Sequence, residues 1–197
     1  CASPLAFELS DGAERIGVNC GGAALTGATI PADLARGLRT TAAHSTLILA
    51  DTNSTAILSN GSLGKGVTEV ELDRRETPQG SRLEMSHDGY ARRHGLIHRR
   101  LLILSPNGRE LRGEDMLLPA PRTRRKGDKG FALRFHLGPM ISASLTADKL
   151  GALLRPKSSS SPAPRQRAAR ASGGFSSISD KKQRRQSGGL TFIASSP

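Results

Sequence analysis

The sequence predicts an all-β fold, an antiparallel β-sandwich with one short helix and a disordered basic C-terminal tail. Short segments of alternating apolar and polar residues recur along the first 155 residues. Turn-forming Gly, Pro, Asn and Asp separate them at about 8–12-residue intervals, and no strand–helix–strand alternation is present. We therefore predict two parts: a sandwich domain over residues 1–155 and a tail over residues 156–197.

The N-terminal segment is a predicted β-hairpin. Residues 4–10 alternate with the two-residue period of a half-buried strand, and residues 16–20 do so again. Asp11-Gly12 supplies the turn between them. A helix is predicted over residues 31–42, where Pro31 suits the first turn.

The remaining strands follow from the same alternation. In the segment 68–76, Val70 and Leu72 are expected to point inward. Ser105-Pro106-Asn107-Gly108 predicts a tight turn because Pro fixes φ and Gly tolerates positive φ. The other predicted strands cover residues 46–50, 82–87, 98–104, 110–116, 131–137, 140–145 and 150–154.

The tail has a different composition, rich in Ser, Arg, Lys, Gln, Pro and Gly, with no detectable period. Such a segment buries too little apolar area to offset its ordering entropy, which is why we predict disorder. Residues 1–155 carry a net charge of +5 and residues 156–197 carry +7. A basic chain favours polyanionic partners, but most of the excess lies in the tail.

Cys1 and Cys20 are too few for a disulfide scaffold, although one bridge between them remains open. No apolar run is long enough to predict a membrane span, and no signal peptide is visible. Because the chain opens at Cys1 without Met and enters a strand pattern at once, we expect that an N-terminal part is missing.

The polar residues offer few catalytic patterns. His94 and His98 are four apart, but in a strand that spacing separates them by about 13 Å, too far for one metal ion. Ser86, His87 and Asp88 are neighbours that would point to alternate faces, so a hydrolase triad is disfavoured. The run Gly61–Gly66 lacks phosphate-loop spacing and is better interpreted as a hairpin connection.

Basic clusters are a further candidate surface. Arginine forks suit the carboxylates and sulfates of an acidic glycan, whereas nucleic acid is disfavoured because stacking aromatics are not interleaved. A solvated basic face is the simpler interpretation of each cluster alone. The candidate glycan-binding residues are Arg92, Arg93, Arg99 and Arg100.

Several motifs together resemble the heparinase II/III-like family. Residues 41–51 (TAAHSTLILAD) resemble the family's TAAHNTVVVDG, and the first hairpin resembles its LSFEL…VDPG. Residues 86–100 are similar to its HDGY…G..H.R segment, and residues 134–137 to its RFHL strand. The four motifs fall in the family's order within residues 1–155.

The resemblance implies a C-terminal β-sandwich that packs against an N-terminal α/α-toroid. Complete family members cleave uronic-acid-containing polysaccharide by β-elimination, in which a base removes the C5 proton of the uronate. The toroid supplies an Asn and a Tyr to that reaction, so we assign no catalytic residue here and expect little activity from this chain alone. A periplasmic or cell-envelope location is implied if the chain is typical of the family.

The resemblance also implies a position for a divalent metal such as zinc. We nevertheless expect no cofactor, because the residues at that position match the family's ligands only in part. His44 falls on a ligand histidine, whereas Asn19 and Cys1 fall on positions that hold Asp and His in the family. Because Asn rarely ligates zinc, a hydrogen-bonded structural role for His44 is the alternative.

Two other functions stay open. One is a non-catalytic module that binds acidic glycan or serves as a scaffold. The other is nucleic-acid binding through the tail, which would be salt-sensitive and lost on deleting residues 157–197.

Overall fold

The computed structural model describes residues 1–21, 30–108, 110–121, 129–145, 147, 152–157 and 186–193. The chain forms two compact units. The first comprises Cys1–Val70, His87–His98 and Pro119–Gly138, and the second comprises Glu71–Ser86, Arg99–Leu118 and Pro139–Pro197. The predicted antiparallel all-β fold is confirmed, because every strand pairing with a described register is antiparallel.

The first unit begins with the predicted hairpin. Strands β1 (Leu9–Asp11) and β2 (Glu14–Val18) pair across a turn in which Gly12 has a φ of +58°. A third short strand, β9 (His136–Leu137), pairs with β2 so that Val18 lies opposite His136. This three-stranded sheet brings together residues more than one hundred positions apart in the sequence.

A second sheet of the first unit lies around β3 (Leu47–Leu49), whose three residues are all buried. It pairs with β8 (Phe131–Leu133). The predicted single strand over 131–137 is therefore two strands with different partners. The chain changes sheets at residues 134–135, where the Arg134 N–H donates to the Thr46 carbonyl at 3.1 Å.

Short helices connect these strands. The predicted helix over 31–42 is shorter in the structure: α1 covers Ala32–Gly37, and a separate 3-10 helix covers Thr41–Ala43. The sequence did not predict α2 (Ala91–His94). Gly95 ends α2 in the left-handed conformation with φ +70°, which glycine adopts without steric cost.

The second unit holds most of a five-stranded sheet in the order β12-β7-β6-β5-β4, in which β12 is Gln186–Ile193. Four of these strands follow each other in the sequence as a meander: β4 (Val70–Thr77), β5 (Gly80–His87), β6 (Leu96–Leu104) and β7 (Glu110–Pro119). Positions of β6 alternate between buried and partly exposed, as the alternation of its sequence predicts. A separate pair, β10 (Ile141–Leu145) and β11 (Ala152–Pro156), completes the described strands of this unit.

The edge strand β4 corrects one prediction. Val70 and Leu72 were expected to point inward, but their side chains are 57% and 66% exposed. All eight residues of β4 are exposed, and five of them are charged. Charges along an edge strand discourage pairing with another chain, so this composition fits an exposed edge better than a buried face.

The C-terminal tail corrects another. Residues 186–193, which we predicted to be disordered, form β12 (Gln186–Ile193), antiparallel to β7 with Gln186 opposite Leu117 and Ile193 opposite Glu110. The run Leu190-Thr191-Phe192-Ile193 combines β-branched and aromatic residues that favour strands. The side of β7 that does not pair with β6 presents backbone N–H and C=O groups with which this run can form hydrogen bonds. The prediction of disorder for 158–185 and 194–197 falls outside the described residues.

Candidate functional site

His44, the predicted metal ligand, lies just after the 3-10 helix and is buried, with 4% exposure. Its Nδ1 is 2.8 Å from the Thr40 carbonyl oxygen, and since a carbonyl only accepts, Nδ1 carries the proton. Burial lowers the pKa of His44, against the smaller raising effect of the hydrogen bond to the Thr40 carbonyl. The backbone therefore holds the His44 ring with its Nδ1 proton directed at the Thr40 carbonyl oxygen.

The other two family ligand positions do not complete a metal site. The Oδ1 of Asn19 accepts from the Ser45 N–H at 2.8 Å, and its Nδ2 lies 3.3 Å from the Phe7 carbonyl. This amide ties the first hairpin to the His44 segment. Cys1 is an exposed thiol. In the described part of the chain, no three His, Cys, Asp or Glu side chains are placed to hold a metal ion. The residues present do not fit the metal that the family resemblance implies.

The four candidate arginines have different environments. Arg92 and Arg93 are exposed on α2. Within the described residues, neither has an ion pair. Arg99, in the second unit, donates to Glu84, which also accepts from Arg82 at 2.5 Å.

Arg100 was wrongly assigned to the glycan-binding face. Its side chain is fully buried, and its Nε and Nη2 donate to the two carboxylate oxygens of Asp115 at 2.7 and 3.1 Å. A guanidinium held by a bidentate carboxylate inside the protein is not available to a polysaccharide. Only Arg92 and Arg93 of the candidate set are both exposed and unpaired in the described residues.

The segment 86–98 forms a buried network instead of a catalytic triad. The His87 Nδ1 accepts from the Gly89 N–H at 3.0 Å, so its Nε2 carries the proton and donates to the His98 Nδ1 at 3.1 Å. His87 and His98 are 2% and 0% exposed. The hydroxyl of Tyr90 donates to the Leu47 carbonyl at 2.9 Å, and burial raises the pKa of Tyr90 to about 12.

The remaining groups of the excluded triad and metal pair also have structural partners. Asp88 accepts from the Thr68 and Glu69 N–H groups at 2.8 and 3.0 Å and from the Thr68 hydroxyl. Burial raises the pKa of Asp88, but these hydrogen bonds outweigh it and lower the pKa below its usual value. His94 ends α2 with its Nε2 3.0 Å from the Thr52 hydroxyl. His94 lies on α2 and His98 on β6, so the two residues do not share the single strand that the sequence analysis assumed.

One polar pair was missed by the sequence analysis. The Cys20 Sγ lies 3.7 Å from the His136 Nδ1, although the two residues are 116 positions apart. Cys20 is exposed, and the other ring nitrogen, His136 Nε2, is 3.0 Å from the Ala42 carbonyl oxygen. No local spacing relates these residues, so only the pairing of β2 with β9 could have revealed the contact.

The comparison with known protein families decides the assignment. The family described as "Heparinase II/III-like, C-terminal" matches residues 1–191. The chain belongs to this family. The match extends well beyond residue 155, where the motif resemblance ended, and it includes most of the strand β12.

Two relatives are similar to this chain over part of their own length. FtsZ-localized protein C of Caulobacter vibrioides is 34% identical over 167 residues, which are 79% of this chain and 28% of that protein. The solved structure of a heparinase III, the BT4657 gene product with methylated lysines, matches with a TM-score of 0.55 at 12% identity. That match covers 97% of this chain and 27% of the other, and it shows a shared fold. The chain thus spans about a quarter of each relative.

Among the described residues, no helix combines the length and apolar character needed to cross a membrane.

Proposed function

We propose that this chain is the C-terminal domain of a lyase that cleaves uronic-acid-containing polysaccharide by β-elimination, and that it does not perform the reaction alone. The family match over residues 1–191 is the observation that carries the proposal. The described side chains support the second half of it. The buried histidines and Asp88 are committed to structural hydrogen bonds, which leaves no general base grouped with a charge-neutralising partner among them.

The partner that would complete the reaction is an N-terminal α/α-toroid domain, as in other family members. A lyase needs a base for the C5 proton and donors that neutralise the uronate carboxylate. In this proposal the toroid provides most of these groups, and the β domain contributes to the binding of the acidic chain.

The test is a β-elimination assay with heparan sulfate and alginate, followed by the ultraviolet absorbance of the unsaturated uronate product. The chain is assayed alone and after addition of a separately produced toroid domain of the family. Product only after addition supports the proposal. Product from the chain alone would refute the claim that it is incomplete, and no product in either sample would argue against lyase function.

A non-catalytic module that binds acidic glycan is the second candidate, favoured by the exposed pair Arg92 and Arg93. Heparin-column elution of R92Q/R93Q tests it, with R74Q/R75Q as the control of equal charge change. Arg74 and Arg75 are also exposed but already pair with Glu76 and Asp73. Earlier elution of R92Q/R93Q than of the control supports this function, and equal elution of the two variants contradicts it.

A scaffold role is favoured by the higher sequence identity to a protein named for its localisation to FtsZ than to the heparinase III. Direct binding of this chain to purified FtsZ, measured by a surface-immobilised assay, tests this role. Saturable binding supports it, and absence of binding at high concentration contradicts it.

A further inference from the structure

Arg39 is a half-buried arginine that the proposed function does not use. Among the arginines whose side chains the structure describes, three are buried or half-buried: Arg39, Arg99 and Arg100. Arg99 pairs with Glu84 and Arg100 with Asp115, as is usual for a charge that has lost part of its hydration. Arg39 has no carboxylate partner within the described residues, and its buried Nε donates no hydrogen bond there. In this part of the chain, the protein thus holds a partly desolvated guanidinium without a counter-ion of its own.

The backbone of Arg39 is fixed by its neighbours. Its N–H donates to the carbonyl of Arg36, in the last turn of α1, at 3.1 Å. Its carbonyl accepts from the Ala2 N–H at 2.8 Å, and Ala2 is buried, with 1% exposure. The side chain therefore starts from a position that is set before any ligand arrives, which reduces the entropy lost on binding.

The guanidinium lies against a hairpin that carries no negative charge. Backbone hydrogen bonds close this hairpin over residues 56–65, and Gly61 lies at its tip with a φ of +80°. The Arg39 Nη1 is 3.7 Å from the position that a Cβ would take at Gly61, so the guanidinium is close to the hairpin backbone. Residues 56–66 include Lys65 and no acidic residue. This hairpin therefore has no carboxylate that could neutralise Arg39.

Asn60, next to Gly61, offers donors of the kind that an anion needs. Its Oδ1 accepts from the N–H and from the hydroxyl of Ser62, at 2.9 and 2.7 Å. Its Nδ2 carries two N–H groups, which have no partner among the described residues. The hairpin tip thus adds neutral donors to the positive charge of Arg39, a combination that suits a carboxylate or a sulfate.

We propose that Arg39 is a binding residue for the carboxylate or sulfate groups of an acidic saccharide, with Asn60 and Gly61 forming one wall of the site. A planar guanidinium binds such a group through paired hydrogen bonds, and because the Nε is buried, the two terminal nitrogens make these bonds. The bound anion supplies the counter-charge that the protein withholds. This assignment rests on the proposed function for the class of ligand.

The chain offers a matched control for a change at Arg39. Arg134, also in the first unit, is exposed and has no ion pair in the described part of the chain. R134Q therefore removes the same charge as R39Q from a fully solvated position. R39K keeps the charge at position 39 but removes the planar fork.

The experiment measures binding to the full chain by isothermal titration calorimetry in about 0.15 M salt, which screens exposed charges beyond about 8 Å. The ligands are oligoguluronate, with carboxylates only, dextran sulfate, with sulfates only, and neutral dextran. We expect at least one anionic ligand to bind and dextran not to bind, and the anionic ligand that binds identifies the group. R39Q should weaken binding by at least about tenfold, since hydrogen bonds to charged groups are lost, whereas R134Q should weaken it by less than about threefold. R39K should fall between them.

Stability separates a binding residue from a structural one. Because Arg39 has no protein carboxylate to lose, R39M should leave the urea midpoint unchanged or raise it. A structural arginine that is replaced in the same way leaves a buried partner unpaired and lowers the midpoint.

Three results would overturn the proposal. They are the absence of binding to both anionic ligands, equal losses of affinity in R39Q and R134Q, and a lower urea midpoint in R39M. Loss of binding in R39Q alone supports the assignment even if the lyase assay yields no product. Product in that assay, with equal affinities of R39Q and R134Q, contradicts the assignment and leaves the lyase function intact.

Discussion

Breaking the buried ion pair between Arg100 and Asp115 should destabilise the protein strongly. The side chains are 0% and 3% exposed, and two charge-assisted hydrogen bonds join them. Asp115→Asn keeps the shape of the side chain but leaves the guanidinium buried without its counter-ion. Loss of one partner of such a pair costs about 3–5 kcal/mol, a large part of the roughly 5–15 kcal/mol that stabilises a typical domain.

The assay is urea unfolding followed by far-ultraviolet circular dichroism, because the chain has no Trp. The matched control is Glu110→Gln, which removes the partner of the exposed Arg112 on the same strand, β7. An exposed pair contributes little because solvent already screens it, so this control should leave the free energy of unfolding nearly unchanged. The slope against urea should stay constant in both variants, which shows that stability alone has changed.

The double variant Arg100→Met with Asp115→Leu completes the cycle. Replacing both partners removes the buried charge together with its counter-ion, and such replacements are often neutral or stabilising. We therefore expect the double variant to be considerably more stable than Asp115→Asn. A loss of less than about 1 kcal/mol in Asp115→Asn, or an equal loss in the Glu110→Gln control, would refute the assignment of a buried, paired guanidinium.

Three further predictions concern single residues. Tyr90 is the sole tyrosine, so tyrosinate absorbance reports its ionisation directly. Because burial raises the pKa of Tyr90 to about 12, the free energy of unfolding should fall as the pH rises from about 10 to 12. Tyr90→Phe should abolish that part of the decline. Hydrogen bonds lower the pKa of Asp88, so its contribution to the free energy of unfolding should be lost as the pH falls through that lowered pKa. Urea unfolding at a series of acidic pH values should show a shallower decline of the unfolding free energy with falling pH in Asp88→Asn than in the unmodified chain. Equal slopes of unfolding free energy against pH would contradict the assignment. Gly80→Ala should lower the free energy of unfolding by more than about 3 kcal/mol, because at φ +122° a Cβ would collide with the Leu104 carbonyl. Gly108→Ala, at φ +67° in open space, should lower it by only about 1 kcal/mol. Equal thermal midpoints of the two variants would refute the difference.

Local signals in the sequence predicted most of the strands because a two-residue alternation and turn residues are properties of neighbouring positions. The hairpin of β1 and β2 and the meander from β5 to β7 follow from such signals. The segment 131–137 alternates without a break, yet it forms β8 and β9 on different sheets. Which partner a strand finds depends on contacts distant in the sequence, and alternation carries no information about them.

Burial was the property that sequence reasoning predicted least well. Val70 and Leu72 alternate with charges as core residues do, but β4 is an edge strand with every residue exposed. Arg100 follows Arg99 in a basic cluster, but only Arg100 points to a carboxylate inside the protein. The sign of a charge can be read from the sequence, whereas its solvation depends on what the rest of the fold places beside it.

The five histidines show how much of the imidazole chemistry in this fold is hydrogen bonding. The atoms that contact the ring nitrogens of the five histidines include carbonyl oxygens, a backbone N–H, a hydroxyl, a thiol and another imidazole. Such contacts fix tautomers and join segments that are distant in the sequence, which is a structural use of the imidazole. The contacts of His136 span the widest separation in sequence, because its Nδ1 lies 3.7 Å from the Cys20 Sγ and its Nε2 lies 3.0 Å from the Ala42 carbonyl oxygen. Strand pairing creates these contacts, as when β2 meets β9, so a motif that aligns a histidine with a family position cannot by itself reveal the partners of that histidine in the fold.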